Sequence, residues 1–232
     1  MGKKILSKYY KINPLIFGRN PFLEIHKISS SLTSKECEKI INIADNLNNW
    51  GDFSKLGKSF DIKKDIDIIQ IISQDSELIE PIEKLMNLII SFIKKTYIIK
   101  HKEDGEKYLI NNKPIKIDYN NVIKIKPNPF LIKYDSKENP GLSLHKDNAD
   151  ISFIIMISDL KDFKGGGTYF RDINKTFFLK RSEILFFNGQ LVHSGLPITK
   201  GKRYIISGFS VFSEEYLKIK RLGTLKTFQY FH

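Results

Sequence analysis

The sequence predicts an α+β fold that is mainly β, with a double-stranded β-helix (jelly-roll) core and supporting N-terminal helices packed on the major sheet. Three observations lead to this prediction. From Val122 onward, short apolar segments alternate with turns rich in Gly, Asn, Pro and Asp, which is typical of jelly rolls. Two upstream segments have helical periodicity instead. The 232 residues, 41% of them hydrophobic, suffice for one sizeable core.

The first supporting elements are a strand and a helix. Residues 22–28 (FLEIHKI) alternate between apolar and polar side chains, which predicts a strand. Thr33 and Glu36 form a capping box, with Thr33 as the N-cap. It predicts a helix that runs to about Leu47 and buries Cys37 on its apolar face.

The next segments contain a second helix and two connections. Residues 76–98 have the apolar spacing of a longer helix, and Pro81 falls near its first turn, where proline is tolerated. Residues 49–75 are predicted to be a lid or a connection, and residues 100–120 a hairpin. The chain is predicted to form one globular domain with four parts: an irregular segment at 1–20, a strand and helical support at 21–120, the jelly-roll core at 121–214 and a basic tail at 215–232.

Three polar residues of the core are typical of a metal centre. His145 and Asp147 are two residues apart, so on a strand both side chains point to the same face, and His193 comes from another strand. Two imidazoles and one carboxylate form the facial triad of non-haem Fe(II) oxygenases. Structural zinc usually has four Cys and His ligands instead. The sequence therefore predicts an iron site, and these three residues are the predicted catalytic residues.

A buried cation is predicted in the last strand of the core. Arg203 lies within the apolar run RYIISGFSVF, where an unpaired charge would be costly. A bound anion is therefore its expected partner. Ser207 lies four residues further on, on the same face of the strand.

These residues belong to a longer ordered pattern. It consists of Tyr134, HKD at 145–147, DFKGGGTYF at 162–170, HSG at 193–195 and GKRY at 201–204. Because these motifs occur in this order, the region from about 130 to 212 resembles the catalytic domain of the prolyl 4-hydroxylase and lysyl hydroxylase group of Fe(II)/2-oxoglutarate dioxygenases. The glycines of GGGT are expected to form a tight turn beside the pocket.

The resemblance implies particular roles and cofactors. His145, Asp147 and His193 would ligate Fe(II), and Arg203 and Tyr134 would bind the distal carboxylate of 2-oxoglutarate, with Ser207 as a further contact. O2 would be the second co-substrate, and L-ascorbate (vitamin C) would keep the iron reduced. The implied enzyme is a dioxygenase that hydroxylates peptidyl proline or lysine and converts 2-oxoglutarate to succinate and CO2.

Other substrate classes remain open at the level of sequence. The net charge of +12 fits a nucleic-acid partner, an acidic cofactor or peptide, or only the codon bias of an AT-rich genome. Nucleic-acid demethylation is disfavoured, because that group carries a second arginine where this chain has Phe209. A small-molecule substrate and a non-catalytic binding module of the same fold are the remaining alternatives.

The expected compartment and assembly follow from composition. The single cysteine, Cys37, predicts a cytoplasmic or other reducing intracellular compartment. No apolar run reaches transmembrane length and the N-terminus lacks the apolar core of a signal peptide, so no membrane partner is expected. The tail at 215–232 is a candidate dimer contact. His26, His101 and His232 have no supporting pattern, which predicts ordinary surface or loop residues.

Overall fold

The computed structural model describes the chain in segments. The backbone is described for residues 8–10, 25–51, 65–97, 108–110, 113–115, 123–125 and 129–212, and the side chains for 25–51, 65–97 and 129–212. The predictions for the 215–232 tail, for His101 and His232, and for most of 1–20 lie outside the described residues.

Short strands dominate the described part of the chain. In chain order they are β1 Lys8–Tyr10, β2 Ile25–Ser29, β3 Asp65–Asp67, β4 Tyr108–Ile110, β5 Lys113–Ile115, β6 Ile123–Ile125, β7 Phe130–Asp135, β8 Leu142–His145, β9 Ile151–Met156, β10 Phe163–Gly165, β11 Thr168–Phe170, β12 Lys175–Phe177, β13 Glu183–Asn188, β14 His193–Gly195 and β15 Ile198–Phe212.

Two antiparallel sheets build the core, as the jelly-roll prediction requires. The major sheet has nine strands with the central order β1-β2-β13-β9-β15-β7-β3, and β10 and β6 also pair with β15. The minor sheet has the order β12-β11-β14-β8. The major sheet also takes up β1, β2 and β3 from upstream of residue 121. The predicted hairpin within 100–120 is present as the antiparallel pair β4–β5.

The major sheet is buried on both faces, which explains its nearly continuous apolar strands. Phe153 and Phe186 pack in a cluster with the helices, whereas Ile154 and Phe187, one residue further on, pack in a second cluster between the sheets. Successive side chains of a strand point to opposite faces, so each strand contributes to both clusters. The second cluster surrounds the functional site described below.

Three helices, two of them predicted, pack on the outer face of the major sheet. They are α1 Ser34–Leu47, α2 Ile68–Ile72 and α3 Ile79–Thr96. The capping box is present: the Thr33 side chain accepts from the Glu36 backbone N–H, and the Glu36 carboxylate accepts from the Thr33 N–H. Cys37 is buried on α1, as predicted.

Two details of the helical region differ from the sequence-based expectation. The second predicted helix begins as a 3-10 turn at Ser76–Leu78 before α3 starts. The five-residue α2, which Asp67 caps by accepting from the Ile69 N–H, was not predicted, since one turn is too short to show periodicity. No helix within the described segments is long and apolar enough to span a membrane.

The prediction for His26 was wrong. Its side chain is buried at 5% exposure, and its ring makes edge contacts with Phe92 and Tyr97, with centroids 5.6 Å and 5.4 Å away. The position lies on β2 beneath α3, where an imidazole packs as an aromatic ring. His26 is therefore part of the core between sheet and helix.

Candidate metal and 2-oxoglutarate site

The two predicted histidines meet across the minor sheet. His145 is the last residue of β8, His193 is the first of β14, and the two are direct partners in the antiparallel register. Their ring centroids are 4.3 Å apart. Asp147 lies just beyond the end of β8, not on it as the i, i+2 argument assumed. A hydrogen bond from its backbone N–H to the Gly189 carbonyl, 2.8 Å long, fixes the chain there instead.

The three side chains point at one another. The Nε2 atoms of His145 and His193 lie 3.4 Å and 3.5 Å from the Oδ1 and Oδ2 atoms of Asp147. One ligand atom from each residue can be chosen so that all lie within 4.8 Å of one another. His193 and Asp147 are buried at 3% and 5% exposure. The cluster has the size and chemistry of a cation site.

Backbone carbonyls set the tautomer of both imidazoles. The Nδ1 atom of His145 lies 2.8 Å from the Ser143 carbonyl oxygen, and that of His193 lies 2.8 Å from the Leu191 carbonyl oxygen. A carbonyl only accepts, so Nδ1 carries the proton in each ring. In the neutral form of each ring Nε2 is then the unprotonated nitrogen that a metal requires, and orientation through the opposite nitrogen is usual in metal sites.

Ser152 holds the carboxylate of the cluster. Its hydroxyl donates to Asp147 Oδ2 at 2.5 Å, and Ser152 itself is 1% exposed. The Gln190 side-chain amide donates to the backbone carbonyl of Asp147 at 3.0 Å. The loop that carries Asp147 is therefore fixed from both its side chain and its backbone.

Burial and charge act on the histidines in opposite senses. Burial lowers the pKa of His193, and the Asp147 carboxylate only partly opposes this, so the pKa of His193 is lowered. Burial also lowers the pKa of His145, but the hydrogen bonds to Asp147 and the Ser143 carbonyl outweigh it, so its pKa is raised. The carboxylate is thus the charge that balances any cation at this site.

Arg203 is a buried cation without a carboxylate partner among the described residues. It is 1% exposed, and its Nη1 donates only to the Gly167 carbonyl at 3.4 Å. Its Nε is buried with no hydrogen-bond partner. Burial lowers the pKa of Arg203, and the only opposing contribution comes from Tyr134. Its donors are therefore available to an anion in the pocket.

Tyr134 lies beside Arg203 on the neighbouring strand. The two residues are partners in the β7–β15 register, and the guanidinium carbon lies 5.3 Å from the centre of the Tyr134 ring. Burial raises the pKa of Tyr134, so its hydroxyl stays a proton donor. A Cβ at Gly195 would come within 2.8 Å of that hydroxyl, which explains the glycine of the HSG motif.

The GGGT segment forms the predicted turn. Gly165, Gly166 and Gly167 have φ of +82°, +77° and +109°, a region that L side chains rarely adopt. The turn brings the Gly167 carbonyl to Arg203, and Gly166 lies against the aliphatic stem of that arginine. The glycines therefore shape the end of the pocket that holds the cation.

One pocket between the two sheets contains all the predicted site residues. Its lining includes His145, Asp147, His193, Arg203, Tyr134 and Ser207. The Ser207 hydroxyl donates to the Phe153 carbonyl at 3.3 Å. Thr168 also lines the pocket, whereas Tyr169 and Asn188, considered from sequence as further lining, are not among its lining residues.

Sequence reasoning missed Ser152, Phe130 and Asn148. Phe130 and Asn148 line the pocket, and Ser152 holds Asp147. Ser152 had a usable signal, because it is a polar residue in the apolar run ISFIIM and shares its strand face with Ile154. Phe130 and Asn148 had none, since a strand-initial aromatic residue and a loop amide occur in many proteins.

Comparisons with known proteins agree with this geometry. No protein-family model matches the chain. The chain is 32% identical over 84 residues to the Xenopus tropicalis 2-oxoglutarate and iron-dependent oxygenase domain-containing protein 2. The aligned segment covers 32% of this chain and 24% of that protein. Over 180 residues, or 75% of its length, the chain is 26% identical to the procollagen lysyl hydroxylase and glycosyltransferase of Acanthamoeba polyphaga mimivirus.

The fold also has a solved counterpart. It is similar to the viral collagen prolyl hydroxylase of Paramecium Bursaria Chlorella virus-1, solved as a 2-oxoglutarate complex, with a TM-score of 0.51 and 16% identity over 80% of this chain and 94% of that one. Over these segments the chain is similar to Fe(II)/2-oxoglutarate-dependent oxygenases of the prolyl and lysyl hydroxylase group. It spans 24% of the Xenopus relative and 18% of the mimivirus relative.

Proposed function

We propose that this chain is an Fe(II)- and 2-oxoglutarate-dependent dioxygenase that hydroxylates proline or lysine residues of a peptide or protein. The observation that carries the proposal is the presence, in one pocket, of a His-Asp-His cluster and a buried arginine that has no carboxylate partner among the described residues. A metal site alone fits many enzymes. A metal site with an anion-binding cation inside the same cavity fits a reaction that needs an acidic co-substrate.

The donor set fits Fe(II). His145 and His193 offer Nε2, and Asp147 offers a carboxylate oxygen, all turned to one point. Two imidazoles and one carboxylate leave positions open on an octahedral ion. When bound, the iron supplies the oxidative chemistry that places one oxygen atom of O2 in a C–H bond while 2-oxoglutarate is converted to succinate and CO2. L-ascorbate is proposed to keep the iron reduced.

The opposite part of the pocket fits a dicarboxylate. Arg203 offers a planar guanidinium whose Nε has no partner, and such a group can bind a carboxylate with two parallel hydrogen bonds. Tyr134 is proposed to add its hydroxyl to the same carboxylate. Ser207 lies on the same strand face between Arg203 and Phe209 and is proposed as a further polar contact.

The protein's own contribution is orientation and exclusion of water. Ile132, Ile154 and Ile205 line the pocket between its polar groups, and apolar walls strengthen electrostatic interactions by excluding water. The Ser143 and Leu191 carbonyls fix the histidine rings. The co-substrate is thereby held in one orientation between arginine and metal, which lowers the entropic cost of reaction.

The test is turnover of the full chain with Fe(II), 2-oxoglutarate and ascorbate. Succinate is measured together with mass spectrometry of collagen-like Gly-X-Lys and proline-rich peptides. We expect succinate and a gain of one oxygen on proline or lysine. The variant His145→Ala should lose both signals, while Lys146→Ala, the exposed neighbour in the HKD motif, should keep them.

Two other outcomes are informative. Succinate without peptide oxidation would retain the dioxygenase and contradict the peptide substrate, directing the search to nucleic acids and small molecules. No succinate from protein shown to contain iron would contradict the proposed activity and favour a binding module.

A further inference from the structure

The pocket has two chemically different ends, which the strand register defines. Alternate residues of a strand point to the same face. On β15 the residues of this face that line the pocket are Arg203, Ile205, Ser207 and Phe209. Arg203 pairs with Tyr134, and Ser207 pairs with Phe130 on β7. Phe209 lies six residues beyond Arg203, or about 20 Å along an extended strand. The polar end and the aromatic end are thus well separated.

The metal cluster lies toward the aromatic end. Phe209 pairs with Ser152 on β9, and the Ser152 hydroxyl donates to Asp147. The long side chain of Arg203 enters the pocket from the other end. A co-substrate that joins Arg203 to the cluster therefore occupies the interval near Ile205 and Ser207. The space beside Phe209 is left for the molecule to be oxidised.

The walls of this remaining space include two aromatic rings and, at the mouth, one side-chain amide. The rings of Phe130 and Phe209 are in contact, with centroids 5.6 Å apart and planes tilted by 45°. Phe130 is 6% exposed, while Phe209 is half-buried and the neighbouring lining residue Asn148 is exposed. Asn148 and Phe209 therefore lie at the mouth, with Phe130 deeper. We name the two rings the mouth-side aromatic pair.

The charges of the pocket also bear on the substrate. Among the described lining residues, Asp147 is the carboxylate and Arg203 is the cation. Under the proposed function Asp147 binds the metal and Arg203 binds the co-substrate, so neither is available to the substrate. A lysine ammonium group next to the mouth-side aromatic pair would lose water without gaining a carboxylate. Desolvating an unpaired charge is costly, and contact with a phenylalanine face offsets only part of that cost.

We infer that the mouth-side aromatic pair is the specificity-determining surface of this site and selects an uncharged, apolar side chain for oxidation. Between the two residues of the proposed function, this selects the proline ring over the lysine side chain. The ring packs against Phe130 and Phe209 beside the metal cluster, and burial of its apolar area favours binding. The inference rests on the proposed function.

The test compares two peptides that differ at one position, proline in one and lysine in the other. The full chain is supplied with Fe(II), 2-oxoglutarate and ascorbate, and oxygen gain is measured by mass spectrometry. We expect kcat/KM to be at least about tenfold higher for the proline peptide, within the range for a hydrophobic pocket. The variant Phe209→Asn should lower that value about tenfold, and Phe209→Leu should retain most of it.

The control variant is Leu160→Asn, which removes a 49% exposed apolar side chain that does not line the pocket. It should leave kcat/KM unchanged. The 2-oxoglutarate affinity of Phe209→Asn, measured by calorimetry with Mn(II) in place of iron, should stay within about twofold of wild type, because the change affects the peptide end.

Each alternative result has a distinct meaning. Equal or better oxidation of the lysine peptide by the wild-type chain would overturn the inference and leave the dioxygenase intact, even if the Phe209 variants fail to fold. An unchanged kcat/KM in Phe209→Asn would also overturn it, as would succinate formation with neither peptide oxidised. Failure to form succinate with bound iron would instead remove the proposed function itself.

Discussion

The two faces of the strand pair β7 and β15 each bury a cation, but they differ in whether that cation has a carboxylate partner. In the register, Arg203 pairs with Tyr134, and the next residues, Tyr204 and Lys133, pair with each other. The first pair faces the pocket and the second faces α1. The same two strands thus hold two buried cation–tyrosine pairs, one on each face.

The face toward α1 is satisfied internally. Lys133 Nζ donates to Asp45 Oδ1 at 2.7 Å, and the Tyr204 hydroxyl donates to Asp45 Oδ2 at 2.7 Å. The ammonium also lies 4.8 Å from the centre of a Trp50 ring. On the pocket face, Arg203 has one long hydrogen bond and a buried Nε without a partner. Removing the counterion of a buried charge is destabilising, and a buried charge that lacks a counterion is a candidate ligand site.

Replacing Arg203 should have the largest effect. Arg203→Ala should raise the Kd for 2-oxoglutarate roughly a hundredfold, because truncating a buried charge partner costs about 2–5 kcal/mol. Metal affinity should change only a few-fold. Calorimetry with Mn(II) measures both, and Arg171→Ala, an exposed arginine, is the matched control. Equal loss of both affinities would contradict the assigned role.

Replacing Asp45 should have the converse effect. Asp45→Ala leaves Lys133, at 8% exposure, without its carboxylate, and the free energy of unfolding should fall by about 2 kcal/mol in urea titrations. The value is below that of a fully buried pair because the Asp45 side chain is 35% exposed. The affinity for 2-oxoglutarate should persist.

A matched control comes from the surface. Glu77→Ala removes a carboxylate that is 81% exposed and paired with Lys39, so its cost should stay below about 1 kcal/mol. If Asp45→Ala cost no more than this variant, the distinction between the two faces of the strand pair would fail.

Ser152 extends the comparison because it is a buried polar residue beside the metal cluster that does have an internal partner, the Asp147 carboxylate. Ser152→Ala should weaken binding of Co(II) about tenfold, since the Asp147 carboxylate loses the hydroxyl that orients it. Ser152→Thr, which keeps a hydroxyl, should restore most of the affinity. Visible absorption of the Co(II) protein reports this without turnover, and an unchanged affinity in Ser152→Ala would contradict the role.

The smallest effect concerns pH. Burial, followed by the hydrogen bond to Asp45, raises the pKa of Tyr204. A raised folded-state pKa means that this contribution to stability is complete below the unfolded value of about 10 and is lost as pH rises above it. Stability of the wild type should therefore fall above pH 10 more steeply than that of Tyr204→Phe. The difference is at most about 1.4 kcal/mol per pH unit, measured by urea titration, and identical slopes would contradict it.

Local patterns in the sequence account for much of the fold and the site. The capping box at Thr33 and Glu36 places the start of α1 because both bonds form within four residues. The motifs around His145, His193 and Arg203 predicted residues that the fold brings together in one pocket, because each residue type has a restricted chemistry. The positive φ of Gly165–Gly167 follows from their having no side chain.

Tertiary structure decided what depends on distant partners. His26 gave no local sign of burial, because α3 and Tyr97, which cover it, lie far along the chain. Asp147 lies beyond the end of β8, and only the Gly189 carbonyl and the Ser152 hydroxyl fix its position. The sequence by itself indicated which polar side chains meet in the pocket. The strand register decided that Arg203 lies at one end of the pocket and Phe209 at the other, since a register depends on pairing between distant segments.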